Sequence, residues 1–256
     1  MALLEAHGLT HYFGGLAAVK NVSLELHPCE LVGLIGPNGA GKTTLFNLIS
    51  GVYTPSAGDI RFRGESIVGL PPHEVARHGI TRTFQNIRLF GGMSALDNVK
   101  VARHHRTRSG MLASLLRTAA FRAEETALEH EALALLDLVG LADRAADPPG
   151  ALPYGLQRRL EIARALAGAP EVLLLDEPAA GMNQSEVADL ITLIRRLREE
   201  RELAILLIEH QMPLVMNICQ RVYVLDFGEV IAHGTPAEIQ NDPRVIEAYL
   251  GTGARM

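Results

Sequence analysis

Gly36-Pro37-Asn38-Gly39-Ala40-Gly41-Lys42-Thr43-Thr44 fits G-x-x-x-x-G-K-[ST], the pattern of a phosphate-binding loop. The flanks supply the context that pattern needs. Leu31-Val32-Gly33-Leu34-Ile35 is a short apolar run that predicts a buried strand, and Leu45-Phe46-Asn47-Leu48-Ile49 predicts a helix ending near Gly51. Between them the glycines let the backbone curl so that its N–H groups converge on an anion, at the positive end of the following helix. Gly36, Pro37, Asn38, Gly39, Ala40 and Gly41 are therefore candidate nucleotide contacts. Lys42 can reach β- and γ-phosphates, the Thr43 hydroxyl can hold Mg²⁺, and Thr44 can add a phosphate contact.

Composition sets the bounds. The chain has 256 residues, 48% of them apolar and 21% charged, which is ordinary for one large globular domain or a core with a lobe attached. Its longest apolar runs, such as Val172 to Leu175, are too short to span a bilayer, and Met1-Ala2-Leu3-Leu4-Glu5 does not predict a secretory signal. Cys29 and Cys219 suggest neither a disulfide framework nor a metal site, and a cytosolic protein is expected. The net charge of −5 argues against general nucleic-acid binding.

Outward from the loop, strands are expected at 3–9, 18–26, 31–35, 59–62 and 80–85. Tyr12-Phe13-Gly14-Gly15 predicts a turn carrying two aromatics, and an aromatic there can stack on adenine. A short helix is expected at 73–77 after Pro71-Pro72, and Gln85, at a strand end, can ligate Mg²⁺ or place a water. From about Ser94 to Pro149 the pattern is helical, clearest from Ala119 to Leu138. No acid falls between Asp97 and Glu124, whereas Lys100, Arg103, Arg106, Arg108, Arg117 and Arg122 do, with His104 and His105. That stretch fits a solvated helical face, or a surface facing anionic headgroups or an acidic partner. On the second reading, reversing Arg103 and Arg106 to Glu weakens assembly at a membrane and spares ATP binding.

Leu152-Pro153-Tyr154-Gly155-Leu156-Gln157-Arg158-Arg159 leads into a helix expected at 160–167. Val172-Leu173-Leu174-Leu175-Asp176-Glu177-Pro178 is an apolar strand ending in two carboxylates, stopped by Pro178. Asp176 suits Mg²⁺, and Glu177 can polarise an attacking water. A helix at 184–200 and a strand at 204–208 follow, placing His210 at a strand end, where ligand contacts collect in α/β sheets. A hairpin around Asp226-Phe227-Gly228 and a short helical tail close the chain.

Taken in order, this set resembles the ATP-binding cassette superfamily over nearly the whole chain. The loop at 36–44 resembles Walker A, Gln85 the Q-loop, Leu152 to Gln157 the signature motif, Asp176-Glu177 the Walker B pair, Ala180 to Asn183 the D-loop and His210 the switch histidine. Smaller matches are similar to bacterial importers of branched-chain and other hydrophobic amino acids: Tyr12 to Leu16, Arg82 to Gln85, Arg158 to Arg164, Asp176 to Gly181, Leu207 to His210, and Ala248-Tyr249-Leu250-Gly251.

The resemblance implies an α/β fold. Its phosphate-loop NTPase core has a mostly parallel sheet with a small antiparallel β subdomain, drawn from about 1–87 and 160–256, and a helical subdomain spans about 88–159. It implies ATP hydrolysis with Mg²⁺. Lys42, Glu177 and His210 would be catalytic, Glu177 as general base and His210 near the γ-phosphate. Phe13 would stack on adenine, with Tyr12 less suited. Thr43, Gln85 and Asp176 would meet the metal, and Gly155 the nucleotide. It also implies a head-to-tail dimer with a second ATPase subunit, identical or a paralogue. Two integral-membrane permease subunits, a periplasmic solute-binding protein feeding them, and a place on the inner face of the cell membrane complete the expectation.

The sequence departs from the superfamily pattern in four places. Pro153 stands where a serine hydroxyl is common, Leu156 where Gln is usual, Asn183 for the D-loop Asp, and Gln211 where an acid commonly follows the histidine. ATP binding is thus expected more firmly than brisk hydrolysis. The lipopolysaccharide exporter's ATPase has similar length and tail. Soluble cassette ATPases instead carry a long coiled-coil insertion or two cassettes, and this chain has neither.

Overall fold

The computed structural model describes residues 1–103 and 118–250. Strands β1 (Leu4–Phe13), β2 (Leu16–Leu26), β4 (Ala57–Phe62) and β5 (Glu65–Ser66) form an antiparallel sheet in the order β2-β1-β4-β5. Strands β3 (Leu31–Ile35), β6 (Ile80–Arg82), β7 (Val172–Asp176), β8 (Ala204–Ile208), β9 (Arg221–Asp226) and β10 (Glu229–Gly234) form the second sheet, in the order β10-β9-β3-β8-β7-β6. Every pairing in it is parallel except the β9–β10 hairpin.

The apolar runs of this sheet lack polar alternation because both faces are covered. Leu31, Ile35, Leu173, Leu175, Ile205, Leu207, Val222 and Val224 join one buried cluster, while Val32, Leu34, Val172, Leu174, Leu206, Ile208 and Leu225 join the other. Successive residues thus feed opposite layers, as the pleat requires.

Helices α1 (Lys42–Ile49), α2 (Pro72–His78), α3 (Ala95–Arg103), α4 (Ala119–Leu138), α5 (Tyr154–Leu166), α6 (Gln184–Glu200), α7 (Met212–Ile218), α8 (Pro236–Asn241) and α9 (Pro243–Leu250) complete the described chain. None of them is long and apolar enough to cross a membrane. The α6 and β8 boundaries match the expected ones residue for residue.

Other expectations need correction. The β1 strand runs on to Phe13, through register shifts, so the two aromatics end a strand and only Gly14-Gly15 turns. The strand expected at 80–85 stops at Arg82; Thr83 N still donates to Leu174 O (2.9 Å), and the backbone then leaves the sheet. Helix α5 begins at Tyr154, six residues earlier than expected, because Pro153 serves as its N-cap and no later residue interrupts the turn. Helix α7 is a further element that the sequence pattern does not signal; its Pro213 lies in the first turn, where proline is tolerated.

Part of the basic stretch is paired within the fold where it is described. Lys100 pairs with Glu125 at 3.4 Å, and Arg103 pairs with Glu131 and donates to Ala167 O, so these cations bind the fold itself. Reversing Arg103 therefore breaks an internal contact before any external one. His104, His105, Arg106, Arg108 and Arg117 lie outside the described residues.

Candidate nucleotide site

The loop from β3 to α1 is shaped by close backbone approaches. A Cβ on Gly36 would sit 1.9 Å from Leu225 O, and one on Gly41 2.3 Å from Ala18 O, so both glycines are fixed by neighbours in β9 and β2. Gly41 is also the N-cap of α1, with φ 103° and no side-chain cap bond, and the first turn of α1 holds no acid. The positive end of the helix is left to an external anion. Lys42 is 5% exposed and donates to Gly36 O (2.7 Å) and Pro37 O (2.8 Å), folding back onto its own loop. Burial pushes its pKa below the usual lysine value, while Glu177 and Asp176 pull it up.

A cavity of about 470 Å³ opens over this loop, lined by Asn38 to Thr44, Leu16 to Ala18, Gln85, Glu177, His210, Phe227 and Gly228. Residues 85, 177 and 210 reach it from three separate strand ends. Gln85 Nε2 donates to Glu177 Oε2 (2.9 Å), and His210 Nε2 shares a 2.5 Å hydrogen bond with Glu177 Oε1. Both oxygens of this carboxylate are therefore engaged. Glu177 itself sits at φ 48°, in the left-handed region that costs a non-glycine residue on the order of 1–3 kcal/mol. Its N–H donates to Ile208 O (2.9 Å), and its C=O accepts from Ala180 N (3.2 Å), which hold the turn that aims the side chain into the cavity.

Gly36, Pro37, Phe13, Gly155 and Asp176 do not line this cavity. Phe13 is 46% exposed and lies edge-on to His11 and Tyr53, at ring distances of 4.8 and 5.4 Å. Gly155 lies in the first turn of α5, where a Cβ would fall 2.6 Å from Glu186 Oε1. Asp176 is buried behind the loop and pairs with Arg82 through Oδ2 at 2.6 Å, while its Oδ1 has no partner among the described residues. Arg82 also bonds Asn47 Oδ1 (2.6 Å) on α1, tying β6, β7 and α1 together beneath the site.

Three supports escaped the sequence reading. Arg82 is the first. The second is the buried pair Arg158–Glu161 on α5: Arg158 donates to Phe84 O (2.8 Å) and to Gln85 O, and Glu161 accepts from Phe84 N at 3.3 Å. The backbone that carries Gln85 is thus held by α5, the helix that begins within the signature segment. The third is Glu209, 2% exposed, whose carboxylate receives three backbone N–H groups while burial pushes its pKa up. Each stands within or beside a motif, but each also reaches a partner about 30 to 94 positions away, and nothing local signals that long-range contact.

Asn183 and Leu156 resolve two of the departures. Asn183 forms a full capping box with Glu186 at the start of α6, a role Asn fills as well as Asp. Leu156 is half-buried and packs against the apolar cluster between the sheet and the helices.

Known proteins agree with this architecture. A family profile described as "ABC transporter" matches residues 19–180, and one described as "Branched-chain amino acid ATP-binding cassette transporter" matches residues 229–255. The chain is 49% identical to the high-affinity branched-chain amino acid transport ATP-binding protein LivG of Escherichia coli K12, over 97% of this chain and 98% of LivG. It is equally similar to BraF of Pseudomonas aeruginosa, at 49% over the same shares. The lipopolysaccharide export ATP-binding protein LptB of Escherichia coli K12 is 37% identical over the full length of both.

Among solved structures, a nucleotide-free ATP-binding cassette from an ABC transporter superposes with a TM-score of 0.85 at 30% identity, covering 98% of this chain and 100% of that one. A dimeric post-hydrolysis cassette bound to ADP and phosphate gives 0.76 at 26% identity, covering 91% and 98%. With the phosphate loop, the Gln85–Glu177–His210 constellation and these likenesses together, the chain belongs to the ABC transporter family as an ATP-hydrolysing, ATP-binding subunit of the LivG and BraF kind.

Proposed function

We propose that this protein energises uptake of branched-chain or related hydrophobic amino acids by hydrolysing ATP to ADP and phosphate beneath a membrane permease. The observation that carries the site reading is the Glu177 carboxylate, held between Gln85 and His210 above the Lys42 loop. The 49% identity to LivG and BraF against 37% to LptB favours import of amino acids over lipopolysaccharide export.

In this reading the N–H groups of Gly39 to Thr44 and Lys42 take the β- and γ-phosphates. Lys42 exchanges its two loop carbonyls for phosphate oxygens. Gly36, Pro37 and Asn38 shape the loop's entry, and Phe13 offers the adenine its exposed face. Glu177 takes the proton of the attacking water, and His210 holds the carboxylate in line and touches the γ-phosphate region.

The residues fit Mg²⁺. Asp176 Oδ1 is buried and has no partner among the described residues while Arg82 occupies Oδ2, Thr43 lines the cavity, and Gln85 meets Glu177 through Nε2 rather than its amide oxygen. Held by these residues, Mg²⁺ would neutralise charge on the phosphate oxygens.

The assembly belongs to the same reading. A core from about 1–87 and 160–256 carries a helical subdomain, about 88–159. A second ATPase subunit packs head to tail, its phosphates meeting Gly155 and the open N-terminus of α5, where Pro153 provides no side-chain cap. Two permease subunits, fed by a periplasmic binding protein, sit above the pair at the inner face of the membrane, and no nucleic acid takes part.

The test is ATP turnover of the purified chain, alone and with permease in lipid discs. We expect turnover to rise with the permease and Glu177→Gln to lose about 10²–10⁴-fold while still binding ATP. Undiminished turnover in Glu177→Gln would remove that residue as the base.

A further inference from the structure

We propose that Glu209 and Gln211 are positioning residues for hydrolysis, which grip both backbone polar groups of Ala179 and make His210 and the loop after Glu177 move as one body. Glu209 Oε1 accepts from Ala179 N at 2.8 Å, and Gln211 Nε2 donates to Ala179 O at 3.3 Å. Glu209 Oε2 meanwhile accepts from the N–H of His210 (3.1 Å) and, more distantly, of Gln211 (3.5 Å). His210 thus stands on a short bridge whose two flanking side chains hold the same residue.

Ala179 is fully buried and lies two positions beyond Glu177, on the run that ends in the Asn183 capping box. Beyond their own hydrogen bond, the distance between His210 and Glu177 is therefore braced by the grip on Ala179. Displacing the run 178–183 carries His210 with it and changes its 2.5 Å hydrogen bond to the carboxylate.

The clamp explains the residue types. A carboxylate at 209 can accept from three N–H groups; an amide would turn its own NH₂ toward some of them. At 211 the contact needs a donor to a carbonyl. An acid, common at that place in the superfamily, has no hydrogen to give when ionised and sets a negative charge beside Ala179 O. Gln211 is the departure that supplies such a donor, beside the Met182 N–H that Ala179 O also accepts at 3.1 Å.

The inference rests on Glu177 and His210 acting in ATP hydrolysis, so the experiment carries both. Gln211→Met, Gln211→Glu, Glu209→Gln and the double variant Glu209→Gln/Gln211→Met are compared with Glu177→Gln and His210→Ala. Turnover, ATP affinity and melting temperature are measured for each in the full chain. Gln211 is exposed, so its variants fold even where Glu209→Gln does not.

We expect kcat of the Gln211 variants to fall about tenfold, the scale of one hydrogen bond lost in the transition state. KM and the dissociation constant for ATP stay within about twofold, well below the tenfold that 1.4 kcal/mol would make. The double variant should be no slower than the slower single one, because both side chains act on one residue. Unchanged kcat in both Gln211 variants, with Glu177→Gln inactive, overturns the clamp. A fall in kcat matched by equally weakened ATP binding overturns it as well, because the loss then belongs to the folded site. Wild-type turnover in Glu177→Gln and His210→Ala would sink the reading of the site and the clamp with it.

Discussion

Lys42 meets two opposing demands: it is buried, which disfavours its charge, and it faces Glu177 and Asp176, which favour it. Burial dominates, so the free protein releases this proton below the ordinary lysine value of 10.5. A bound triphosphate favours the charged form and raises the pKa again. Between the two values, binding must take up a proton, and affinity must fall as pH rises through the free-state pKa. Titration calorimetry of ATP in buffers of different ionisation enthalpy should show net proton uptake in the alkaline range. Zero uptake up to pH about 10 would mean that Lys42 is charged throughout. Arg82 and Asp176 present the companion case, a buried pair at 2.6 Å. Arg82→Met leaves Asp176 charged without its partner, a loss of roughly 3–5 kcal/mol, read as a lower denaturant midpoint with the slope unchanged. A midpoint equal to wild type would show that Asp176 had been satisfied elsewhere.

Helix α5 explains how the helical side of the molecule reaches the Glu177 carboxylate. Its Arg158 donates to the C=O of Phe84 and its Glu161 accepts from the N–H of Phe84, and Gln85 follows with its amide on Glu177. Arg158 also donates to the Tyr154 hydroxyl at 2.8 Å, and the Tyr154 ring covers Gly181, where a Cβ would lie 3.1 Å from it. One helix therefore touches the loops before and after the site. Arg158→Met should cost roughly 3–5 kcal/mol by stranding Glu161, and Arg158→Met/Glu161→Leu should recover part of it. Equal stability of the single and double variants would show that the pair is not coupled. At the start of α6, Asn183→Ala should cost about 1 kcal/mol and Asn183→Asp almost nothing; equal melting temperatures for all three would deny the capping box any weight. Such elements mark the limit of what the sequence makes legible. The buried strands, the phosphate loop and α6 could be read because local pattern decides them. The early start of α5 could not, since Pro153-Tyr154-Gly155 signals a turn as readily as an N-terminus. The β6 exit could not either, because it is set by Arg158, 73 positions beyond Gln85.

At the scale of the whole molecule, the two sheets meet around α1, and the cavity over the phosphate loop is lined by residues from both. A cassette of this family bound to ADP and phosphate has been solved as a dimer, and the matching expectation is that Glu177→Gln with MgATP sediments as a dimer while wild type, which can hydrolyse its ligand, returns to monomer. On the proposed head-to-tail arrangement, the signature segment is expected to set how tight that dimer is. Read as sequence, Leu156 is a lost amide contact, and Leu156→Gln ought to restore it. Its packing argues otherwise: Leu156 leans on the apolar cluster, while the groups able to face a partner's phosphate are the backbone N–H groups at the uncapped start of α5. Placing an amide there removes apolar packing and leaves that start unchanged. In the Glu177→Gln background, Leu156→Gln should therefore lower stability by about 1–2 kcal/mol and leave the dimer dissociation constant with MgATP within about threefold. Sedimentation velocity over a concentration series, beside thermal melts, measures both. A dimer tightened tenfold or more by Leu156→Gln would mean that residue 156 turns outward to the partner's nucleotide when the halves close, and that α5 rotates in the helical lobe on closure.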